Sequence, residues 1–161
     1  MKINRRFRYD PSLLLYLPLY ELDGAQFMSR DGYGHLCTRT GALWTPQGHS
    51  FDGVDDFINF TASASIFNSN EITIVHRTNM TYSDVNIYGI FNIQWSIAIG
   101  SRIGTALWTD GTLYIAKKYG ADINDNAATG LNISGREAFS AITVTGSNWT
   151  AFVDGRSESG T

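Results

Sequence analysis

The sequence predicts an all-β fold, a sandwich of two antiparallel sheets, from three observations. Short segments with apolar residues at alternate positions recur at close spacing along the 161 residues, most of them separated by Gly or Asp-Gly. Sixteen glycines against three prolines suit a chain with many turns. A hydrophobic content of 43%, with four Trp, eight Tyr and nine Phe, is too apolar for a disordered chain. The length serves one domain with a sizeable core, expected at 12–161 behind a basic arm at 1–11.

In the arm, Lys2, Arg5, Arg6 and Arg8 are a third of the twelve basic residues. Such an arm reads first as a solvated terminus and second as a docking segment for an acidic partner. No apolar run follows these charges before Asp10 and Pro11, so a secretory signal is not expected. Ser12 to Tyr20 is strand-length, with leucine at 13, 15, 17 and 19, too short for a membrane span. Apolar on both faces and interrupted by Pro18, which cannot donate to a ladder, it is expected near a sheet edge or bulge. Turns follow at Tyr20 to Gly24 and Ser29 to Gly34, then short strands at His35 to Thr38 and Ala42 to Trp44.

Gly48 to Phe60 reads as two short strands hinged at Asp52-Gly53, a hairpin corner. Thr61 to Asn70 is polar and small, a loop with one helical turn. From Glu71 to Arg77, Ile72, Ile74 and His76 alternate with Thr73, Val75 and Arg77, the pattern of a strand. Tyr88 to Gln94, Trp95 to Ile99, Thr105 to Thr109 and Thr112 to Lys117 are further strands, with Asp110-Gly111 as a two-residue hairpin signal. Gly120 to Gly135 lacks periodicity and reads as a surface loop. Phe139 to Thr145 and Trp149 to Val153 form a last hairpin ending at Asp154-Gly155.

Three phrases in this order resemble a known family: Leu13 to Glu21, the Phe51-Asp-Gly-Val-Asp-Asp-Phe-Ile58 corner, and Ala141 to Gly155. Together they resemble the laminin-G-like jelly rolls of the concanavalin A-like lectin and glucanase superfamily. The resemblance implies a jelly-roll sandwich and a group that includes lectins, glycosidase domains and adhesion modules, so it does not by itself choose a function. Two departures stand out. His76 occupies a place where the family commonly has tryptophan, and no further strands are expected after Asp154-Gly155. The missing late strand would leave Ser12 to Tyr20 with an open edge, to be closed by another subunit or by residues outside this sequence.

A formal net charge of −3 with 17% charged residues provides no broad basic field, so nucleic acid is not an expected partner. One cysteine, Cys37, excludes an intrachain disulfide and reads as a buried thiol. Asn-x-Ser/Thr triplets beginning at Asn59, Asn79, Asn132 and Asn148 are of a kind that arises often by chance. The family's glucanases use carboxylates in a Glu-x-Asp-x-x-Glu pattern, and the four glutamates, Glu21, Glu71, Glu137 and Glu158, do not form it. Neither a Gly-x-Ser-x-Gly elbow nor a phosphate-binding glycine loop occurs, and an enzyme is not expected.

Two clusters could supply oxygen ligands to calcium: Asp52, Asp55 and Asp56, and Asp122, Asn124, Asp125 and Asn126. For the first, turn formation by Asp side chains is the plainer reading; for the second, a solvated loop competes evenly with a cation. Sugar binding needs an aromatic platform beside polar groups. Trp108, Tyr82 and Tyr119 with Asn124 are the expected contacts; Trp95, alternating with Ile97 and Ile99, reads as core. His35, His49 and His76 lack metal-ligand spacing, and His76 reads as a half-buried strand residue. The expected function is a non-catalytic carbohydrate-binding module for a glycan or cell-surface polysaccharide, with calcium as its candidate cofactor and no membrane insertion. The second expectation is a structural or adhesion domain of a phage or virion surface protein that docks a partner chain. Either function would operate at a virion or extracellular surface.

Overall fold

The computed structural model describes residues 10–61, 71–81, 88–96, 101–119, 123–146 and 148–161; the side chains of 93–96, 101–102, 117–119 and 123–126 are outside that description. The described residues hold thirteen strands in antiparallel sheets and no helix. None of them therefore lies in a helix that could cross a membrane, which says nothing about a β-barrel. The chain divides into two compact units, Met1–Ile66 and Phe67–Thr161.

Unit 1 holds β1 (Gln26–Met28), β2 (Leu36–Thr40), β3 (Leu43–Thr45), β4 (Gly48–Ser50) and β5 (Phe57–Thr61). The order β1-β2-β5 makes one sheet, and β3-β4 is a separate hairpin. Alternation along β1 and β2 buries Phe27 and Cys37 on one face, and these pack with Leu22 against Leu17, Leu19, Ile58 and Phe60. Cys37 is fully buried, as its sequence context suggested, and burial pushes its thiol up to about 11.

Two expectations fail in this unit. Ser12 to Tyr20 is not a strand. Pro18 lacks an N–H, its carbonyl accepts from the Glu21 amide in a turn, and the leucines are held half-buried by side chains that reach their backbone. Asp31 Oδ2 accepts the Tyr16 amide at 2.9 Å, and the His35 Nε2 atom lies 2.8 Å from the Leu14 carbonyl. The open edge expected on this segment goes with the strand. The second failure is the Asp52-Gly53 hairpin. β4 pairs with β3 and β5 pairs with β2, so this turn connects two sheets. Its glycine keeps a left-handed φ of 79°, and Asp52 Oδ1 accepts the Val54 amide at 2.8 Å.

Unit 2 holds β6 (Glu71–Met80), β7 (Tyr88–Ser96), β8 (Ser101–Leu107), β9 (Thr112–Tyr119), β10 (Ile123–Asn132), β11 (Arg136–Thr145), β12 (Asn148–Val153) and β13 (Arg156–Gly160). The first sheet is β7-β8-β9-β10 and the second β6-β11-β12-β13. β10 lies against β12 and β13, and the Gly130 amide donates to Glu158 Oε2 at 2.7 Å. One face of each sheet is apolar. Thr105, Leu107, Leu113, Ile115 and Leu131 are buried in the first; Ile74, Ile142, Val144, Trp149, Ala151 and Val153 in the second. The expected Glu71 to Arg77 strand is present and extends to Met80, in ten consecutive pairs with β11. The β11–β12 hairpin forms as expected. A hairpin also forms at Asp110-Gly111, but around the loop 109–111 closed by the Trp108 amide on the Thr112 carbonyl rather than around a two-residue turn.

β7 runs without a break through Trp95, and β8 ends at Leu107, two residues earlier than expected. Gly120 to Gly135 is mostly strand. β10 pairs with β9 from Ile123 to Ala128, and backbone bonding rather than apolar periodicity makes it, since Asn, Asp and Ala fill its first half. The chain also continues past Asp154-Gly155 into β13. Asp154 takes a φ of 47° and Gly155 one of 86°, the left-handed pair a two-residue hairpin turn needs. Asp154 Oδ1 accepts the Phe139 amide at 2.9 Å and Oδ2 pairs with Arg136, anchoring the turn to β11.

Candidate functional site

The β8–β9 hairpin brings two aromatic rings together. Trp108 leaves the end of β8, where its amide donates to the Thr112 carbonyl at 2.9 Å. Tyr114 stands on β9 opposite Ala106. Their rings stack with centroids 4.2 Å apart and an interplanar angle of 15°, both half-buried, so part of each ring faces solvent. Beside Tyr114 the same face of the sheet is unusually low. Its cross-strand row reads Gly89, Ala106, Tyr114, Ala128, and the next reads Asn92, Gly104, Ala116 and Asn126. Gly104 is required by a close approach, because a Cβ there would come within 2.6 Å of the Phe91 carbonyl oxygen. Small residues at Gly89, Ala106, Gly104, Ala116 and Ala128 beside the aromatic rings give this face the make-up of a shallow trough, with Ala106 itself buried.

The turn below Trp108 is held by Asp110. Its Oδ1 accepts the Thr112 hydroxyl at 2.5 Å and amide at 2.9 Å, and these two bonds hold its carboxyl below the usual carboxylate range. Asp110 thereby fixes the hairpin that aims Trp108.

Of the other sugar-contact candidates, Tyr82 lies outside the described residues. Tyr119 ends β9 opposite Ile123, and Asn124 stands in β10 opposite Lys118; their side chains are not described. Trp149 is core: buried, with its indole over Gly160, where a Cβ would meet the ring at 2.7 Å. Tyr114 was not singled out from the sequence. The signal that could have found it is the Asp110-Gly111 hairpin, whose register returns the chain beside Trp108.

In unit 1, Asp52, Asp55 and Asp56 each offer a carboxylate oxygen within 4.8 Å of the others. Asp52 and Asp55 are exposed, and Asp56 is half-buried. Asp56 Oδ2 accepts the Asp52 amide at 2.8 Å, and a methyl group on Gly41 would collide with the Asp56 carboxylate. Turn closure therefore accounts for part of the cluster, and the remaining oxygens are of the hard type calcium takes. In the second cluster, Asp122 lies outside the described residues, while Asn124, Asp125 and Asn126 belong to β10 rather than to a loop. Asp125 stands opposite Lys117.

His76 has a different character. Neither ring nitrogen has a hydrogen-bond partner or solvent access, and burial alone pushes its pKa down to about 4. Ser140, directly opposite on β11, and Thr78 also carry buried hydroxyls without partners.

Comparison with known protein families, with characterised proteins and with solved structures finds no match for this chain.

Proposed function

We propose that this chain is a non-catalytic carbohydrate-binding module built on a laminin-G-like jelly roll, with the trough at Trp108 and Tyr114 as its sugar site. The stacked, half-exposed ring pair at the end of a small-residue sheet face carries the reading. A pyranose ring offers an apolar C–H face that lies flat on an indole, while its hydroxyls need polar groups at the sides. Asn92, exposed on the adjoining row, supplies an amide on that face. Tyr82, Tyr119 and Asn124 remain proposed contacts on the strength of the sequence.

Calcium is proposed separately at Asp52, Asp55 and Asp56, where three carboxylates converge. A virion or extracellular surface would suit such a module.

A glycan array on the purified chain, in calcium and again in chelator, tests both parts. Binding in either buffer that disappears in Trp108→Ala and Tyr114→Ala supports the trough, and loss on chelation alone assigns calcium a role. No binding by folded protein, or binding untouched by both substitutions, sinks the sugar reading for this site.

The second reading is a structural or adhesion domain of a phage or virion surface protein that docks a partner chain. A flat, exposed apolar group on the outer face of β6, β11 and β12 favours it: Val75, Phe139 and Phe152 are each about half exposed, around Ala141.

A further inference from the structure

The strands at the four edges of unit 2 are not alike. β7 carries register shifts at Gly89/Phe91 and at Gln94/Ser96, and β10 shifts between Ala128 and Asn132. β13 is five residues long, Arg-Ser-Glu-Ser-Gly, and largely exposed. Bulges, shortness and polarity are the usual protections against edge-to-edge pairing. β6 has neither a bulge nor shortness, and its two charges, Glu71 and Arg77, are of opposite sign. Its ten residues contain no Pro, Gly or Lys, five are β-branched, and its ladder to β11 is uninterrupted. Among the described residues no strand bonds to its other edge.

We infer that β6 pairs antiparallel with β6 of a second copy of this chain, in the register that sets Glu71 opposite Arg77 of that copy. Directly opposed residues in an antiparallel pair share a face, so a two-fold axis can be centred on any one residue of the strand, and each centre gives a different set of partners. Centred on Val75, the pairing sets Thr73 against Arg77; centred on Thr73, it sets Glu71 against Val75. Only the centre at Ile74 brings Glu71 and Arg77 together, and the symmetry makes that ion pair twice. The same register places the buried Ile74 against its own copy and the half-buried Ile72 against the half-buried His76. Arg77 already pairs with Glu137 across β11, yet its side chain is 68% exposed. A guanidinium with five N–H donors can hold a second carboxylate.

The two-fold register predicts a charge-swap result. Sedimentation velocity on the full chain, from micromolar to submillimolar concentration, should show a dimer. Glu71→Arg and Arg77→Glu should each weaken it at least about tenfold by opposing like charges twice. The double variant, Glu71→Arg with Arg77→Glu, should restore it. A wild-type monomer throughout, a dimer indifferent to both single changes, or a double variant that stays monomeric while folded by circular dichroism overturns the pairing. Because Arg77→Glu also opposes Glu137, a second test avoids it. Ile74→Cys should give a disulfide-linked dimer under mild oxidation and Thr78→Cys should not, Cys37 being buried in both; equal cross-linking rejects the register. The inference is independent of the sugar reading, since a dimer that binds no glycan leaves it standing.

Discussion

Unit 1 and unit 2 keep their shapes by different means. Unit 2 relies on repetition: long ladders alternate inward and outward residues, and Leu107, Leu113, Ile115, Ile133 and Ile142 have no exposed surface. In unit 1 the strands are three to five residues long, and the buried cluster is Leu22, Phe27 and Cys37. What orders the irregular segment after Asp10 is a handful of side chains that bind backbone. Asp31 accepts the amides of Tyr16, Tyr33 and Gly34 at 2.9 to 3.0 Å, and His49 Nδ1 lies 3.0 Å from the Leu19 carbonyl. A ladder spreads the consequence of any one lost polar group; a polar hub concentrates it.

That contrast can be broken most forcefully in the core of unit 2. Ile142 lies between Ile74 and Ala151, and Ile142→Ala should cost about 4 kcal/mol in urea unfolding through the cavity it leaves. Acid should come next and should act on unit 2 through His76. His76 has a native pKa of about 4 against an ordinary 6.5, so neutral His76 is favoured in the fold. Its contribution is complete above pH 6.5. It declines as the unfolded chain takes up the proton, and levels off below pH 4, a loss on the order of 3 kcal/mol. Stability measured from pH 7 to 4 should fall in the wild type and stay flatter in His76→Phe.

Unit 1 should respond more weakly to substitution, and in acid it should respond through two groups. The first is His49, which burial pushes below its ordinary value, so that its contribution also declines as pH falls below 6.5. The second is Asp31. Burial pushes its carboxyl up, but hydrogen bonds from Ser29 and from the Tyr16, Gly34 and Tyr33 amides outweigh this and hold it below its ordinary value. Its stabilisation is therefore present above the ordinary aspartate range and is lost as pH drops through the lower native value. Asp31→Ala, which leaves three amides without an acceptor, should cost about 2 kcal/mol, with faster hydrogen exchange confined to unit 1. The smallest change in stability belongs to the trough. Trp108→Ala should cost about 1 kcal/mol, the worth of one stacked pair, and a larger loss would mean that the ring is a structural member of unit 2.

Legibility in the sequence follows the same division. The alternation of Ile72, Ile74 and His76 announced β6, and Asp110-Gly111 announced its hairpin, because both signals are local. The leucines of Ser12 to Tyr20 alternate just as well, yet no strand forms there, since what orders them is Asp31, His35 and His49, distant in sequence. β13 carries no apolar signal, and its pairing with β12 comes from the Asp154-Gly155 turn. For the candidate site, the Asp52 cluster and the exposed face of Trp108 were visible as residue types. The stacking of Tyr114 on that ring was not, because it depends on strand register.

The pairing of β6 with β11 has a consequence for the order of folding. Thr73 meets Thr143 and Arg77 meets Glu137 across 70 and 60 residues of chain, whereas β7 to β10 pair only with sequence neighbours. Contacts of such separation form late and slowly, because the intervening chain must be gathered before they contribute anything. The β7–β10 meander should therefore form first and β6 dock in the slowest phase. Stopped-flow refolding of Thr73→Ala and Ala106→Gly would check this order: the first should mainly speed unfolding, the second slow folding. Refolding kinetics, more than equilibrium stability, set how soon the outer edge of β6 is presented to another strand.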